Sequence, residues 1–271
     1  MKKIMVAFDF TPASRNAAVY ACQLAERFQA VVHLVHVYNE PLPSMVGPEA
    51  WVVAPGTLQQ EMEVRMKEEI RQLNTTVLVS AVVINGFRSE SLTMEAEEYE
   101  ADLVVMGSKS RANRIFGSTC IRMMRKCGRP LLLVPESFTY RPAKNMVLAV
   151  DFREKVSQKD LVALVSLFKV YDASLRVVHV DPPMAEMNVS EVSEKLQLGL
   201  ALSSVTYVYD RVENDDVDSG LFDYLDRHPC DLLVMMAHQH SFINRMVSLS
   251  HTRVVGSMVK LPLLVLHNQP A

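Results

Sequence analysis

Short apolar runs alternate with longer amphipathic segments along most of this chain. Runs of four to eight apolar residues are typical of strands buried on both faces of a parallel sheet, whereas apolar residues recurring every three or four positions predict helices. In the first half the predicted strands are Ile4–Phe8, Val31–Tyr38, Thr76–Ile84, Leu103–Met106 and Leu131–Val134. The predicted helices between them run from Thr11-Pro12 to Phe28, Leu58–Leu73, Ser89–Glu100 and Cys120–Cys127. This alternation predicts an α/β fold, a parallel sheet with helices on both faces.

The stretch around the fourth predicted strand is the best candidate for a ligand site. Gly107 follows the strand directly and permits a sharp turn without a Cβ clash. Gly117 precedes the fourth predicted helix, and Ser118 or Thr119 is available as its N-cap. A strand end, a small-residue loop and a helix start together present backbone N–H groups to an anion.

The pattern begins again after a polar segment, Glu136–Asn145, which we interpret as a linker. Four landmarks recur in the same order. They are Asp9 and Asp151, 142 positions apart; His36 and His179, 143 apart; Asp102 and Asp231, 129 apart; and Pro130 and Pro262, 132 apart. The offset shrinks because the second half lacks a counterpart of Glu40–Thr57, a long proline-containing loop with the only tryptophan, Trp51. The sequence therefore predicts a duplicated unit, with domains at residues 1–140 and 144–271.

Composition excludes several classes of protein. Apolar residues make up 49% and charged residues 22% of the 271 positions, which is typical of a globular protein. A formal charge of −3 without a basic block argues against a nucleic-acid surface, and no apolar run approaches the length of a membrane span. The four cysteines lack C-x-x-C pairing and indicate reduced thiols. The N-terminal apolar run resembles a strand more than a signal peptide, so we expect a cytoplasmic protein.

At this point the residues resemble the universal stress protein family, in its tandem two-domain form. The resemblance rests on a first strand ending at Asp9, a second strand ending in His36-Val37, and a fourth running through Met106-Gly107 towards Gly117-Ser118. It implies a five-stranded parallel sheet of order 3-2-1-4-5 in each half, with an ATP pocket between the carboxyl ends of strands 1 and 4. In this family single domains pair through their fifth strands. The resemblance thus implies an intramolecular pseudo-dimer, and leaves further homodimerisation open.

Carried over by position, the resemblance assigns a set of nucleotide-binding residues. Ala7, Val37 and Met106 would line the adenine slot, Asp9 would contact the adenosine, and Gly107, Ser110, Gly117, Ser118 and Thr119 would surround ribose and phosphates. ATP, with or without Mg²⁺, is the implied ligand. The sequence departs from the family pattern Gly-x-x-Gly, nine residues, Gly-Ser or Gly-Thr, because Ser110 replaces the second glycine and six residues separate it from Gly117. In the second half Ala237-His238-Gln239-His240 stands where the glycines are expected, so we expect no nucleotide there.

Several of these residues have a structural alternative. Asp9 before Thr11-Pro12 also suits a cap on the turn that enters the helix. The spacing His238-x-His240, with His251 further along, invites the interpretation of a metal site. Nothing nearby supplies a firm third ligand at a diagnostic spacing, so we predict no metal site. Seven basic residues flank the anion loop; they would form a solvated face, counter phosphate charge or bind a polyanion. They are Lys109, Arg111, Arg114, Arg122, Arg125, Lys126 and Arg129.

No catalytic constellation is present in the sequence, which lacks a Walker A motif and a nucleophile elbow. We therefore expect a non-enzymatic stress-response protein, with at most slow incidental ATP hydrolysis. Two hypotheses remain. In the first, the first domain binds an adenine nucleotide and reports it to an unknown protein partner. In the second, the chain is a nucleotide-independent structural or adaptor scaffold.

Overall fold

A computed structural model describes residues 1–39, 56–109, 116–153, 158–237 and 260–267. The strands are β1 (Lys3–Ala7), β2 (Val31–Tyr38), β3 (Val79–Asn85), β4 (Leu103–Ser108), β5 (Leu131–Pro135), β6 (Asn145–Ala149), β7 (Ser174–Asp181), β8 (Tyr207–Glu213), β9 (Leu232–Ala237) and β10 (Leu263–His267). The helices are α1 (Pro12–Phe28), α2 (Thr57–Gln72), α3 (Arg88–Glu98), α4 (Ser118–Lys126), α5 (Gln158–Tyr171), α6 (Val189–Ala201) and α7 (Val217–Arg227). Of the described helices, none is long and apolar enough to cross a membrane.

The ten strands form one sheet of order β3-β2-β1-β4-β5-β10-β9-β6-β7-β8. Each half therefore has the predicted order 3-2-1-4-5, and that prediction is confirmed. Neighbouring strands within each half are parallel, whereas β5 and β10 pair antiparallel, with Leu132 opposite Leu264. The two halves thus join through their fifth strands, which confirms the predicted intramolecular pairing.

Both faces of the sheet are covered because its strands are apolar on both sides. In β1, Ile4 and Val6 face one core cluster and Met5 faces the other. The first cluster packs under α1, α2, α5 and α6, and the second under α3, α4 and α7. Each cluster contains residues from both halves. The core is therefore continuous across the seam between β5 and β10.

The segment predicted as a linker is packed against both halves. The Asn16 side-chain amide on α1 donates to the carbonyl oxygens of Pro135, at 2.8 Å, and Phe138, at 2.9 Å. The Tyr140 hydroxyl lies 3.0 Å from that of Tyr171 on α5. These contacts tie the connection to a helix of each domain.

The largest difference in a predicted strand is at β3, which begins at Val79 rather than Thr76. The Thr75 hydroxyl accepts a hydrogen bond from the Val77 amide at 3.2 Å. This local bond occupies a backbone donor that a strand would use, so the preceding residues form a turn.

Candidate functional site

The candidate site lies where β1 and β4 end side by side. Ala7 pairs with Met106 in register, and the connections that follow the two strands leave to opposite faces of the sheet. Such a divergence opens a crevice at the carboxyl ends of parallel strands. Here the crevice is a cavity of about 510 Å³, a size suited to a small-molecule ligand.

Eight of the nine nucleotide-binding residues expected from the sequence line this one cavity. They are Ala7, Asp9, Val37, Met106, Gly107, Gly117, Ser118 and Thr119. Ser110, the ninth, lies outside the described residues, as do Arg111, Arg114, Trp51 and most of the segment 40–57. Val37 and Met106 are buried and give the cavity an apolar wall.

Asp9 makes the contacts of a turn that enters a helix. Its Oδ1 accepts hydrogen bonds from the Thr11 amide at 3.2 Å and the Thr11 hydroxyl at 2.5 Å. Thr11 is the N-cap of α1 and accepts from the Ser14 amide. Phe10, between them, has a φ of 62°, so the chain turns sharply here. Asp9 remains exposed at the cavity wall, and the capping contacts engage Oδ1.

Gly107 is required by a close approach rather than by a turn. It lies inside β4, not after it, so the predicted turn at this residue is wrong. A Cβ at this position would lie 2.3 Å from the carbonyl carbon and oxygen of Ala13 and 2.7 Å from the Ser14 nitrogen. The first turn of α1 therefore packs directly on β4. Only a residue without a side chain permits this contact, which also forms the floor of the cavity.

The first turn of α4 faces the cavity with its backbone donors available. The helix begins at Ser118 with Gly117 as N-cap, and no side chain of the described residues caps it. The predicted capping role of Ser118 or Thr119 is therefore wrong, because both lie within the helix. The first N–H groups of a helix have no partner inside it, and the helix dipole favours an anion beside them.

Among the described residues, two cationic side chains line the cavity. Lys109 follows β4 and pairs with Glu136 at 3.3 Å. Arg88 begins α3, is exposed, and has no ion pair among the described residues. Sequence analysis missed Arg88. Arg88 could have been found from its position shortly after β3, because residues that follow parallel strands lie at the edge of the sheet where the site forms.

The other described members of the basic set do not line this cavity. Arg122, Arg125 and Lys126 lie further along α4, and Arg129 pairs with Glu97 at 2.9 Å. Arg122, Arg125 and Lys126 are exposed, which fits the alternative of a solvated face.

His36, on the neighbouring strand β2, holds the residue that follows β1 in place. Its Nδ1–H donates to the Phe8 carbonyl at 2.8 Å, and its ring packs against Phe10 at 4.6 Å between centroids. Burial lowers the pKa of His36, and the charges of Arg88 and Arg65 lower it further against the opposing effects of the Phe8 carbonyl and Asp9. A neutral ring therefore holds the chain just before Asp9.

Cys120 lines the cavity from the first turn of α4. Burial, with a smaller effect from Asp9, raises the pKa of its thiol to about 12. Burial likewise raises the pKa of Cys127 to about 11. Thiolates are the reactive form, so both side chains are inert at neutral pH.

The equivalent aspartate in the second half is held by its own chain. Arg153 Nε donates to Asp151 Oδ1 and Arg153 Nη2 to Oδ2, both at 2.8 Å. Burial acts to raise the pKa of Asp151, but the hydrogen bonds and charge of Arg153 outweigh it and leave the pKa below its ordinary value. Ala149 pairs with Met235 as Ala7 pairs with Met106, so Met236, rather than Ala237, occupies the position of Gly107.

The histidines considered for a metal site, His238, His240 and His251, lie outside the described residues. Within the described ranges, no group of three or more histidine, cysteine, aspartate or glutamate side chains is placed to hold a metal ion.

Comparison with known proteins identifies one family in both halves. The model of the universal stress protein family matches residues 1–135 and 142–267. A universal stress protein of Methanocaldococcus jannaschii is 27% identical over 138 residues, which cover 49% of this chain and 81% of the relative. One from Thermus aquaticus is 26% identical over 136 residues, covering 49% and 98%. The crystal structure of a universal stress protein from Archaeoglobus fulgidus covers 98% of both chains with a TM-score of 0.69 and 12% identity, a likeness of fold.

Proposed function

Because this chain belongs to the universal stress protein family, with one copy of the family domain in each half, we propose that its first domain is a non-catalytic sensor of ATP or a related adenine nucleotide. The main observation behind the proposal is that eight residues chosen from the sequence line one cavity at the carboxyl ends of β1 and β4. We place the domain limits at residues 1–140 and 144–271.

The lining fits the parts of a nucleotide at opposite ends. Ala7, Val37 and Met106 form an apolar wall that suits a purine ring. The open first turn of α4, with Lys109 and Arg88, supplies backbone donors and positive charge for phosphates. Asp9 is the one carboxylate in the described lining, so we assign it to the ribose side or to a magnesium ion on the phosphates.

The second domain is proposed to bind no nucleotide. Its aspartate, Asp151, already has both oxygens occupied by Arg153, and Met236 stands at the position where Gly107 lets α1 pack directly on β4 in the first domain. One site per chain is therefore expected.

Thermal unfolding with and without ATP and magnesium tests the proposal, alongside mass spectrometry of anything released on denaturation. Ligand at about 100 times its dissociation constant adds roughly 2.7 kcal/mol to the free energy of unfolding. Gly117→Val should abolish this shift, because a branched side chain at the N-cap blocks the donors of α4. No described atom lies within 4 Å of the Cβ it introduces, so the fold should persist. A wild-type chain that shows no shift and releases no nucleotide refutes the proposal.

One observation favours the alternative of a nucleotide-independent scaffold. Four apolar side chains of α6 share its outer face at spacings of three and four residues, and all are exposed: Val189, Val192, Leu196 and Leu200. An exposed apolar stripe of this kind is typical of a protein contact. Binding of a protein partner that is unchanged by ATP would favour this second function.

A further inference from the structure

The second domain contacts the far end of α4. His267, the last residue of β10, donates its Nε2–H to the Met124 carbonyl at 2.8 Å. A carbonyl only accepts, so Nε2 must carry the proton. Met124 lies in the last turn of α4, where carbonyl groups lack partners inside the helix. A side chain of one domain thus completes a helix end of the other.

This hydrogen bond is the main polar tie of the His267 ring. The ring is about nine-tenths buried, and its Nδ1 has no hydrogen-bond partner among the described residues. It borders a cavity of about 260 Å³ at the seam between the domains. Burial lowers the pKa of His267 despite the nearby carbonyl groups, which keeps the ring neutral and Nε2 a simple donor.

α4 is short enough to transmit this restraint. Its nine residues span about 13 Å, and its two methionines, Met123 and Met124, are fully buried in the cluster that crosses the seam. The opposite end of the same helix supplies the open donors of the proposed nucleotide site. A shift at the Met124 end therefore moves the first turn at Ser118 as well.

We propose that His267 is a positioning residue for the nucleotide site: it holds α4 from the second domain and so sets the place of the helix's first turn in the cavity. This inference rests on the proposed function for its ligand. It gives the second domain, which is proposed to bind no nucleotide, a part in binding by the first.

The test compares three variants with the wild type. His267→Leu removes the donor, while His267→Gln keeps an amide N–H near the position of Nε2. His228→Leu is the matched control, because His228 Nδ1 donates to the Tyr224 carbonyl at 3.0 Å at the end of α7, in the second domain. If the leucine variant at 267 fails to fold, His267→Asn, whose amide is too short to reach Met124, takes its place.

Amide hydrogen exchange at Ile121, whose N–H donates to the Gly117 carbonyl at 3.1 Å and is therefore protected, is the first readout, measured without nucleotide. We expect about fivefold faster exchange there in His267→Leu, as for the loss of one ordinary hydrogen bond. The dissociation constant of Mg·ATP should rise by about fivefold, a typical coupling between sites. His267→Gln and His228→Leu should match the wild type in both.

Unchanged exchange at Ile121 in His267→Leu would overturn the inference. So would equal acceleration in His228→Leu, or a failure of His267→Gln to restore the wild-type rate. If the wild type itself does not bind Mg·ATP, the proposed function fails. In that case the exchange data alone test whether His267 positions α4.

Discussion

Replacing Gly107 by alanine tests whether α1 and β4 are in direct contact at the floor of the cavity. The new Cβ would lie 2.3 Å from two backbone atoms of Ala13 and 2.7 Å from the nitrogen of Ser14. These are backbone atoms of a helix, so no side-chain rotation relieves the clash. Overpacking of this kind costs about 1–3 kcal/mol. In a chain of this size the melting temperature should fall by about 2–10 °C.

The control is Gly86→Ala, which places a Cβ 2.5 Å from the Ser91 hydroxyl oxygen. The distance is similar, but the hydroxyl moves away by rotation about χ1, so the cost should be small. Urea unfolding followed by circular dichroism measures both variants. If Gly107→Ala is no more destabilised than Gly86→Ala, then the backbone contact is not what requires glycine, and the argument is wrong.

Three further predictions concern charge and protonation. Arg88→Gln should weaken Mg·ATP binding about tenfold at low salt and leave adenosine binding unchanged, whereas Arg122→Gln, outside the cavity, should change neither in calorimetry. Arg153→Gln should return the depressed pKa of Asp151 towards its ordinary value of about 3.9. A depressed pKa stabilises the fold above that value and the gain is lost as pH falls through the folded pKa, so urea midpoints of wild type and variant should differ at pH 7 and converge once the pH lies below the folded pKa of Asp151. Cys120, with a pKa raised to about 12, should react with iodoacetamide only on unfolding, and rapid labelling of the folded chain would contradict its burial.

Sequence reasoning succeeded where a residue's role follows from its place in the apolar pattern. The strands and the duplication follow from runs such as Leu131–Val134 and their repetition. The strand order of each half and the seam between the fifth strands were implied by the family resemblance and are confirmed. Sequence reasoning failed where the role of a residue depends on a contact with residues far away in the sequence. Gly107 looked like a turn because the position of α1 above β4 is a tertiary contact, and Arg88 was missed because no local motif marks the start of α3 as a site edge.

The two halves share the contacts that hold their sheets together. Asp102 Oδ2 accepts from the amides of Lys2 and Lys3, and Asp231 Oδ2 accepts from those of Lys144 and Asn145 in the same arrangement. These hydrogen bonds lie at the amino ends of the strands, where they join neighbouring strands in both halves of the sheet.

The halves differ at the carboxyl ends. His36 and His179 each donate to the carbonyl before the aspartate, yet Asp9 meets a threonine cap while Asp151 is clamped by an arginine. Contacts that serve the fold are thus present twice, whereas an aspartate with an oxygen left outside the capping contacts occurs in the first half. This separation explains why a duplicated chain is proposed to carry a single site. The part that we propose for the second domain in that site runs instead through the shared seam, by way of His267 and α4.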